Sequence, residues 1–191
     1  NTAYVLNLED RARTQYQIVR MGDAYRDPDD NDVIGYEAQP VGDTEVRAFG
    51  DPATIYIVSS QREARPGDHL LPVDENAYAA QYFPHAPERR IEGSIIAVYS
   101  GMTQIGQYQI VALNRGSTHG LEQGHVLTVH QTGRKARDPY SAFGSSVRLS
   151  ENQVGTVLVF QVRPRLSYAL VMAAQRPIHV LDKVAKPDRA H

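Results

Sequence analysis

The sequence contains no cysteine and no tryptophan in its 191 residues. The lack of cysteine excludes disulfide bonds, cysteine-ligated zinc, iron–sulfur clusters and thiol nucleophiles, and it leaves the compartment undecided. No apolar run approaches the roughly 20 residues that a membrane-spanning helix needs, so we expect no membrane-spanning segment. The formal net charge is only −2 and the basic residues are scattered. A basic stripe of the kind that nucleic acid requires is therefore missing, and we expect no nucleic-acid partner.

The chain begins at Asn1 rather than at a methionine. We take this to indicate a mature form or a fragment, from which any signal peptide or N-terminal module has been removed. The length suits one large domain or two small ones.

Short runs rich in β-branched and aromatic residues dominate the chain, and Gly, Pro, Asn or Asp separates them. This pattern predicts an all-β barrel or sandwich. Only residues 74–83 favour a helix, because they begin with a capping Asp74 and end before Pro84. The predicted strands cover residues 3–7, 16–20, 53–60, 94–99, 107–113, 125–130, 154–162 and 167–173.

The chain also repeats itself in a fixed order of β run, turn and polar motif. The sequence Gln-Arg followed by Asp occurs at 61, 62 and 68 and again 114 residues later, at Gln175, Arg176 and Asp182. The triplet Arg26-Asp27-Pro28 recurs 111 residues later as Arg137-Asp138-Pro139. This order predicts two related modules. The alternative is a chance similarity between two β-rich strings.

We therefore predict two related small β-barrel-like or sandwich-like modules joined by a linker. The first module covers residues 1–72 and the second covers residues 105–187. The linker, residues 73–104, contains the short helix and a connecting strand, and residues 188–191 form a tail.

The acidic stretch YRDPDDNDVIGY, residues 25–36, raises the question of a metal site. Asp27, Asp29 and Asn31 match the first three ligand positions of a calcium loop, but the glycine and the final glutamate of such a loop are missing. The second copy reads RDPYSAFG and lacks the extra acids. We therefore expect a hairpin turn held by Arg26, Asp27 and Pro28 and closed near Gly35, with Arg137, Asp138 and Pro139 as its counterpart. Calcium binding by Asp27, Asp29 and Asn31 is the weaker alternative.

The histidine-containing segment HGLEQGH, residues 119–125, does not have the HExxH spacing of a zinc helix. Gly116, Gly120 and Gly124 predict turns, and Leu121 is predicted to enter the core. The nucleophile and phosphate-binding motifs GxSxG, SxxK, GxGxxG and GxxxxGK are absent. We therefore predict no catalytic residues, no cofactor and no enzymatic activity. A carboxylate pair that meets only in the fold stays open as an alternative.

Several longer phrases resemble one family. These are YRDP…GYEA (25–38), GDPATIYI…REA-PGDHLLP (50–72), FPHAP (83–87), IGQYQIVALNRGSTHGLEQGHVL (105–127) and VGTVLVFQVRPRLSYALVMAAQRPIHVLDKV (154–184). They are similar to the C-terminal region of bacterial secreted proteins that carry an N-terminal LysM domain, which binds peptidoglycan. The resemblance covers nearly the whole chain, but no LysM signature is present in it.

This resemblance implies export to the periplasm or cell envelope, and attachment to peptidoglycan through a LysM domain outside this chain. We expect a non-catalytic accessory or interaction region that contacts an envelope protein. One alternative is a carbohydrate-binding module that recognises peptidoglycan directly. A cell-wall glycan hydrolase is a further alternative.

Overall fold

The computed structural model describes residues 1–73, 83–99, 105–131, 135–137, 146–148 and 152–187, with 135–137 and 146–148 described by their backbone alone. The all-β class predicted from the sequence is confirmed, because the described residues form strands and one 3₁₀ turn, Ser117–His119. The strands are β1 Thr2–Val5, β2 Gln15–Arg26, β3 Val33–Ala48, β4 Ala53–Ser60, β5 His69–Pro72, β6 Glu92–Val98, β7 Ile110–Leu113, β8 Val126–Gln131, β9 Lys135–Arg137, β10 Ser146–Arg148, β11 Asn152–Val162, β12 Ser167–Ala174 and β13 Lys183–Ala185.

Three sequence predictions fall on residues outside this range. The helix predicted over 74–83 lies outside the described residues, apart from Phe83, which is not helical. The tail 188–191 also lies outside them, as do Asp138 and Pro139. Across the described part of the chain, no helix has the length and apolar character needed to cross a membrane.

Contacts divide the chain into two compact units. Unit 1 contains Asn1–Ala24 and Tyr36–Gln81, and unit 2 contains Tyr25–Gly35 and Tyr82–His191. The last two residues of β2, the first three residues of β3 and the turn between these strands therefore belong to unit 2. Strand β6, which the sequence assigns to the linker, is part of unit 2 as well.

Unit 1 is built on a five-stranded sheet in the order β1-β4-β3-β2-β5. Its strands alternate as half-buried strands do: on β4, Ile55 is buried whereas Tyr56 is exposed. Among the described residues β1 and β5 are the two edges of this sheet. Its buried apolar cluster consists of Tyr16, Val46 and Ile55.

Unit 2 contains a closed barrel in the order β11-β12-β7-β6-β13-β8 and a separate pair, β9 and β10. Side chains fill the barrel, as is usual for barrels of this size. Its buried cluster contains Ile91, Ile95, Ile105, Val111, Leu113, Leu121, Leu127, Val129, Val154, Val157, Val159, Ala169, Val171, Ile178 and Val184.

The sheet of unit 1 and the barrel of unit 2 share one strand order. Strands β1, β4, β3, β2 and β5 correspond in sequence to β7, β12, β11, β8 and β13, and each series runs in the same order across its sheet. The barrel has one strand more, because β6 lies between β7 and β13.

The pairing registers also agree between the two units. β3–β4 and β11–β12 carry register shifts at matching places, after Asp43 and Val46 in one and after Thr156 and Val159 in the other. The strand order, register and bulges of the two units thus agree with the internal repeat seen in the sequence, and a chance similarity between two strings does not explain this agreement. The pair Val5–Ala53 in unit 1 matches Leu113–Ser167 in unit 2. In the same way, Val19–His69 in unit 1 matches His130–Lys183 in unit 2.

Candidate functional site

The acidic tip, residues 27–32, is the turn between β2 and β3, and its own side chains shape it. The N–H of Asp29 donates to Oδ1 of Asp27 over 3.0 Å. The N–H of Asn31 donates to the C=O of Asp27 over 2.8 Å, and Asn31 takes a left-handed φ of 64°. Asp and Asn favour such turns because their short side chains bond the nearby backbone. The acidic tip is therefore ordered by local hydrogen bonds.

Asp27 connects the acidic tip to the barrel of unit 2 through a buried amide. Asp27 is 3% exposed and Asn114 is fully buried. Nδ2 of Asn114 donates to Oδ1 of Asp27 over 2.7 Å. Oδ1 of Asn114 accepts the N–H of Ser94, on β6, over 2.7 Å. A carboxylate on the tip and a backbone amide of the barrel are thus joined through one side chain.

Arg165 binds three carboxylates of the acidic tip. Its guanidinium donates to Asp30 over 2.6 Å and to Asp32 over 2.9 Å, and it lies 3.5 Å from Asp27. These hydrogen bonds raise the pKa of Arg165 further above its usual value. The planar guanidinium suits this role because it presents several donors in fixed directions.

Arg115 binds the remaining carboxylate, that of Asp29, over 2.8 Å. Its Nε also donates to the C=O of Glu92 over 2.6 Å, so the guanidinium is fixed from two sides. The hydrogen bond from Arg115 lowers the pKa of Asp29 below its usual value. This carboxylate is therefore ionised over a wider pH range than a free aspartate.

The acidic tip does not offer the ligand set of a calcium site. Oδ1 of Asp27 already accepts two hydrogen bonds, and Oδ2 faces Arg165 at 3.5 Å and Arg115 at 3.9 Å. Calcium takes six to eight oxygen ligands, and two guanidinium groups at these distances oppose a cation. The candidate ligands Asp27, Asp29 and Asn31 are thus placed together, but in a cluster of ion pairs that fastens the turn within unit 2.

The remaining turn residues named from the sequence support the same hairpin. The Arg26 guanidinium donates to the C=O of Asn31 over 3.1 Å. A Cβ on Gly35 would lie 3.0 Å from Cδ2 of Leu166, so a larger residue would crowd this contact. Pro28 lies in the acidic tip, and Arg137, at the end of β9, is described by its backbone.

A second cluster joins His85, Glu122 and His125. Within the described residues these three are the only group whose potential ligand atoms meet, all within 4.8 Å of one another. The two imidazole rings lie edge to face with centroids 4.8 Å apart. The sequence places His125 and Glu122 on one turn but gives no sign that His85 joins them.

The hydrogen bond of His125 does not fit a metal ligand, although Nδ1 of His85 donates to the C=O of Phe83 over 2.9 Å and leaves Nε2 of that ring free. Nδ1 of His125 accepts the N–H of Glu122 over 3.1 Å, which assigns the ring proton to Nε2. A metal-bound histidine instead donates from its second nitrogen and leaves the first one free for the metal. Burial, and then the nearby His85, lower the pKa of His125, so this ring stays neutral. We interpret it as a buried structural histidine.

His119 lies apart from that cluster and has a local role. Its Nδ1 accepts the N–H of Gly116 over 3.2 Å at the start of the 3₁₀ turn. Burial is the main cause that lowers the pKa of His119, followed by the charge of Arg115.

The glycines of this segment meet different geometric requirements. Gly120 and Gly124 have φ of 82° and 91°, where a side chain is disfavoured. Gly116 is extended, but a Cβ there would clash with the C=O of Arg163 and lie 2.6 Å from that of Pro164. Leu121, between these turns, is 1% exposed and belongs to the barrel core.

The outer side of unit 1 carries a group that we call the tyrosine face, consisting of Tyr4, Arg47, Tyr56 and Val58. Tyr4 is 72% exposed, Val58 63% and Tyr56 42%. The Arg47 guanidinium lies 5.4 Å from the centre of the Tyr56 ring, within the range of a cation–π contact. Strand alternation explains the arrangement, because the intervening residues of β1 and β4 face the interior.

Sequence analysis missed Asn114, Arg115 and Arg165 as partners of the acidic tip. They lie 87, 86 and 135 residues from Asp27, Asp29 and Asp30. A single sequence contains no local signal for contacts at such separations. The tyrosine face was missed for a different reason, since exposed tyrosines on a strand are common.

Comparisons with known proteins do not assign this chain to a family. No family model matches the chain, and no curated protein matches it.

Proposed function

We propose that this chain is a non-catalytic interaction region of an exported cell-envelope protein of the LysM-containing type, and that the tyrosine face contacts a protein partner. The observation that carries the proposal is the exposure of Tyr4 and Tyr56 together with Arg47 on one side of the sheet of unit 1. Tyr and Arg are enriched at the energetic centres of protein interfaces. The resemblance of the sequence phrases to LysM-containing proteins supports the envelope location.

The hydrogen bonds inside the described residues favour a scaffold over a catalyst. Every carboxylate of the acidic tip is paired with Arg115 or Arg165. The imidazole of His125 is held by the backbone of Glu122. Arg20 and Asp68 pair over 2.8 Å, and this bond lowers the pKa of the Asp68 carboxyl. The charges of these groups thus stabilise turns and strands.

The proposal is tested by photo-crosslinking from single positions in cells that produce the protein. A photoreactive phenylalanine analogue at position 56 should crosslink to an envelope protein. The same analogue at position 108 serves as the matched control, because Tyr108 is also exposed, at 70%, but lies in unit 2. The double substitution Tyr4→Ala and Tyr56→Ala should weaken binding of the captured partner by about 30-fold or more, the scale of a hot spot.

Binding to the glycan would contradict the proposal. If the chain sediments with purified peptidoglycan, and the double alanine variant does not, the tyrosine face belongs to a carbohydrate-binding module. Release of reducing ends from peptidoglycan by the purified chain would instead indicate a hydrolase. Equal crosslinking from positions 56 and 108 would remove the tyrosine face as an interface.

A further inference from the structure

Within the described residues, the sheet of unit 1 has one strand fewer than the barrel of unit 2. In unit 2, β6 lies between β7 and β13 and closes the barrel. The counterparts of β7 and β13 are β1 and β5, and among the described residues no strand pairs with their outer edges. A cavity of about 530 Å³ opens there, with Ala3, Val5, Ile18, Ile55, Ile57 and Leu70 among the residues that line it.

Side chains at equivalent positions are less buried in unit 1 than in unit 2, where β6 covers them. In unit 1, Ala3, Val5, Ile57 and Leu70 are only partly buried. Their counterparts in the barrel, Val111, Leu113, Val171 and Val184, are fully buried in the cluster that contains Ile95 of β6. Apolar side chains thus line the interior of unit 1, and no strand of the described residues covers them as β6 covers their counterparts.

Backbone N–H groups that bind β6 in unit 2 have counterparts at the two edges of the sheet of unit 1. In unit 2, the N–H of Asn114 donates to β6 at Ser94, and the N–H of Leu181 donates to β6 at Ile95. The counterparts of these two donors in unit 1 are Leu6 and Gly67. Edge strands with free donors and acceptors readily add a further strand.

We propose that the opening of unit 1 is filled by a sixth, antiparallel β-strand with the side-chain pattern of β6, supplied by residues of the same polypeptide directly before Asn1. The order of the repeat supports this source. β6 directly precedes β7 in the chain, so its counterpart belongs directly before β1. The pattern is the Gly-Ser-Ile-Ile-Ala-Val of residues 93–98, in which Gly93, Ser94 and Ile95 are buried.

This inference does not rest on the proposed function, because it concerns the interior and edges of the sheet; of the tyrosine face, Tyr4 also borders the cavity, whereas Arg47, Tyr56 and Val58 do not. The edge strands fix the direction of the added strand. β6 is antiparallel to both β7 and β13, with Ser94 opposite Lys183 and Ile95 opposite Leu113. The added strand should therefore present its Ser94 equivalent to His69 and its Ile95 equivalent to Val5.

The first experiment supplies the strand as a peptide. A labelled peptide with the sequence of residues 91–99, IEGSIIAVY, is added to the chain that begins at Asn1, and binding is followed by fluorescence anisotropy. We expect saturable binding and at least tenfold slower hydrogen exchange at the N–H groups of Leu6 and Gly67. Exchange at Asn114 and Leu181, which already bind β6, should not change.

Two controls separate filling of the cavity from nonspecific adhesion. A peptide with the Ile95→Asp change should bind at least tenfold more weakly to the unaltered chain, a comparison that does not depend on the folding of a variant. In the chain, Val5→Asp should weaken binding to a similar extent, whereas Thr2→Asp, on the same strand but outside the cavity lining, should not. Equal binding of both peptides, or no slowing of exchange at Leu6 and Gly67, would overturn the proposal.

The second experiment tests the source of the strand. A longer form of the protein that includes its natural residues before Asn1 should not bind the peptide, and Leu6 and Gly67 should already exchange slowly. If the longer form binds the peptide as the shorter one does, the strand comes from another molecule and the proposed source is wrong. Neither outcome bears on crosslinking from position 56, so this inference and the proposed function fail separately.

Discussion

At the scale of single residues, Asp27 is the most constrained side chain of the acidic tip. It is an almost fully buried carboxylate with two amide donors on one oxygen and two guanidiniums near the other. Burial of a charge is unfavourable unless partners replace the lost water. Here those partners come from the turn itself and from two distant segments, so the carboxylate connects local and long-range structure.

Removal of this carboxylate should destabilise the protein. Asp27→Ala removes the closer acceptor of the buried Nδ2 of Asn114 and leaves only the 3.4 Å contact with Asp29, and we expect the free energy of unfolding to fall by about 2–4 kcal/mol. Urea denaturation measures this change. Asp23→Ala is the control, since Asp23 is exposed on β2, the strand that leads into the acidic tip, and it should change stability by less than about 0.5 kcal/mol. Equal effects of the two substitutions would show that the buried contact contributes nothing.

At the scale of secondary-structure elements, the 3₁₀ turn after β7 is set by close backbone approach. The N–H of Ser117 donates to the C=O of Arg163 over 2.9 Å, and that of Thr118 donates to the C=O of Pro164 over 3.1 Å. Gly116 allows this approach because it has no Cβ. The turn is therefore pressed directly against the loop that follows β11.

Addition of one methyl group should push this turn away from its neighbour. We expect Gly116→Ala to lower the free energy of unfolding by about 1–3 kcal/mol, the usual range for overpacking. Thermal denaturation followed by circular dichroism measures the loss. Gly106→Ala is the control, because a Cβ at that position meets no atom within 4 Å. A Gly116→Ala variant as stable as Gly106→Ala would contradict the close contact.

At the scale of the whole molecule, the two units differ in the completeness of their cores. The barrel of unit 2 has fifteen buried apolar residues in one cluster, whereas the cluster on the sheet of unit 1 has three, counted over the described residues. Burial of apolar surface is the main source of stability. The two units therefore share a strand order but differ in how much apolar surface they bury.

This difference should appear in native-state hydrogen exchange of the chain that begins at Asn1. Amides in the centre of β12 should be protected at least about tenfold more than those at matching positions of β4, because opening free energy follows local burial. Residues 169–171 and 55–57 give the matched comparison. Equal protection of the two strands would mean that the partly covered interior of unit 1 is no less stable.

The strand pattern of the sequence predicted the all-β class and the order of the repeat, because both depend on local alternation and turns. β4 and β12 lie where strands were predicted, at residues 53–60 and 167–173. The role of β6 was not predicted, since a single strand gives no sign of which neighbours it will join. A contact such as Asp27 with Asn114 depends on the closed barrel, which brings together residues far apart in the chain.

The difference between the acidic tip and its counterpart has a consequence for folding. A duplicated chain can misassemble, because either hairpin could insert where the other belongs. Arg115 and Arg165 bind a hairpin with four aspartates, whereas the second copy, with Tyr-Ser-Ala-Phe at 140–143, keeps only Asp138. The two tips therefore differ in negative charge. This difference favours pairing of Arg115 and Arg165 with the first hairpin over pairing with the second during folding.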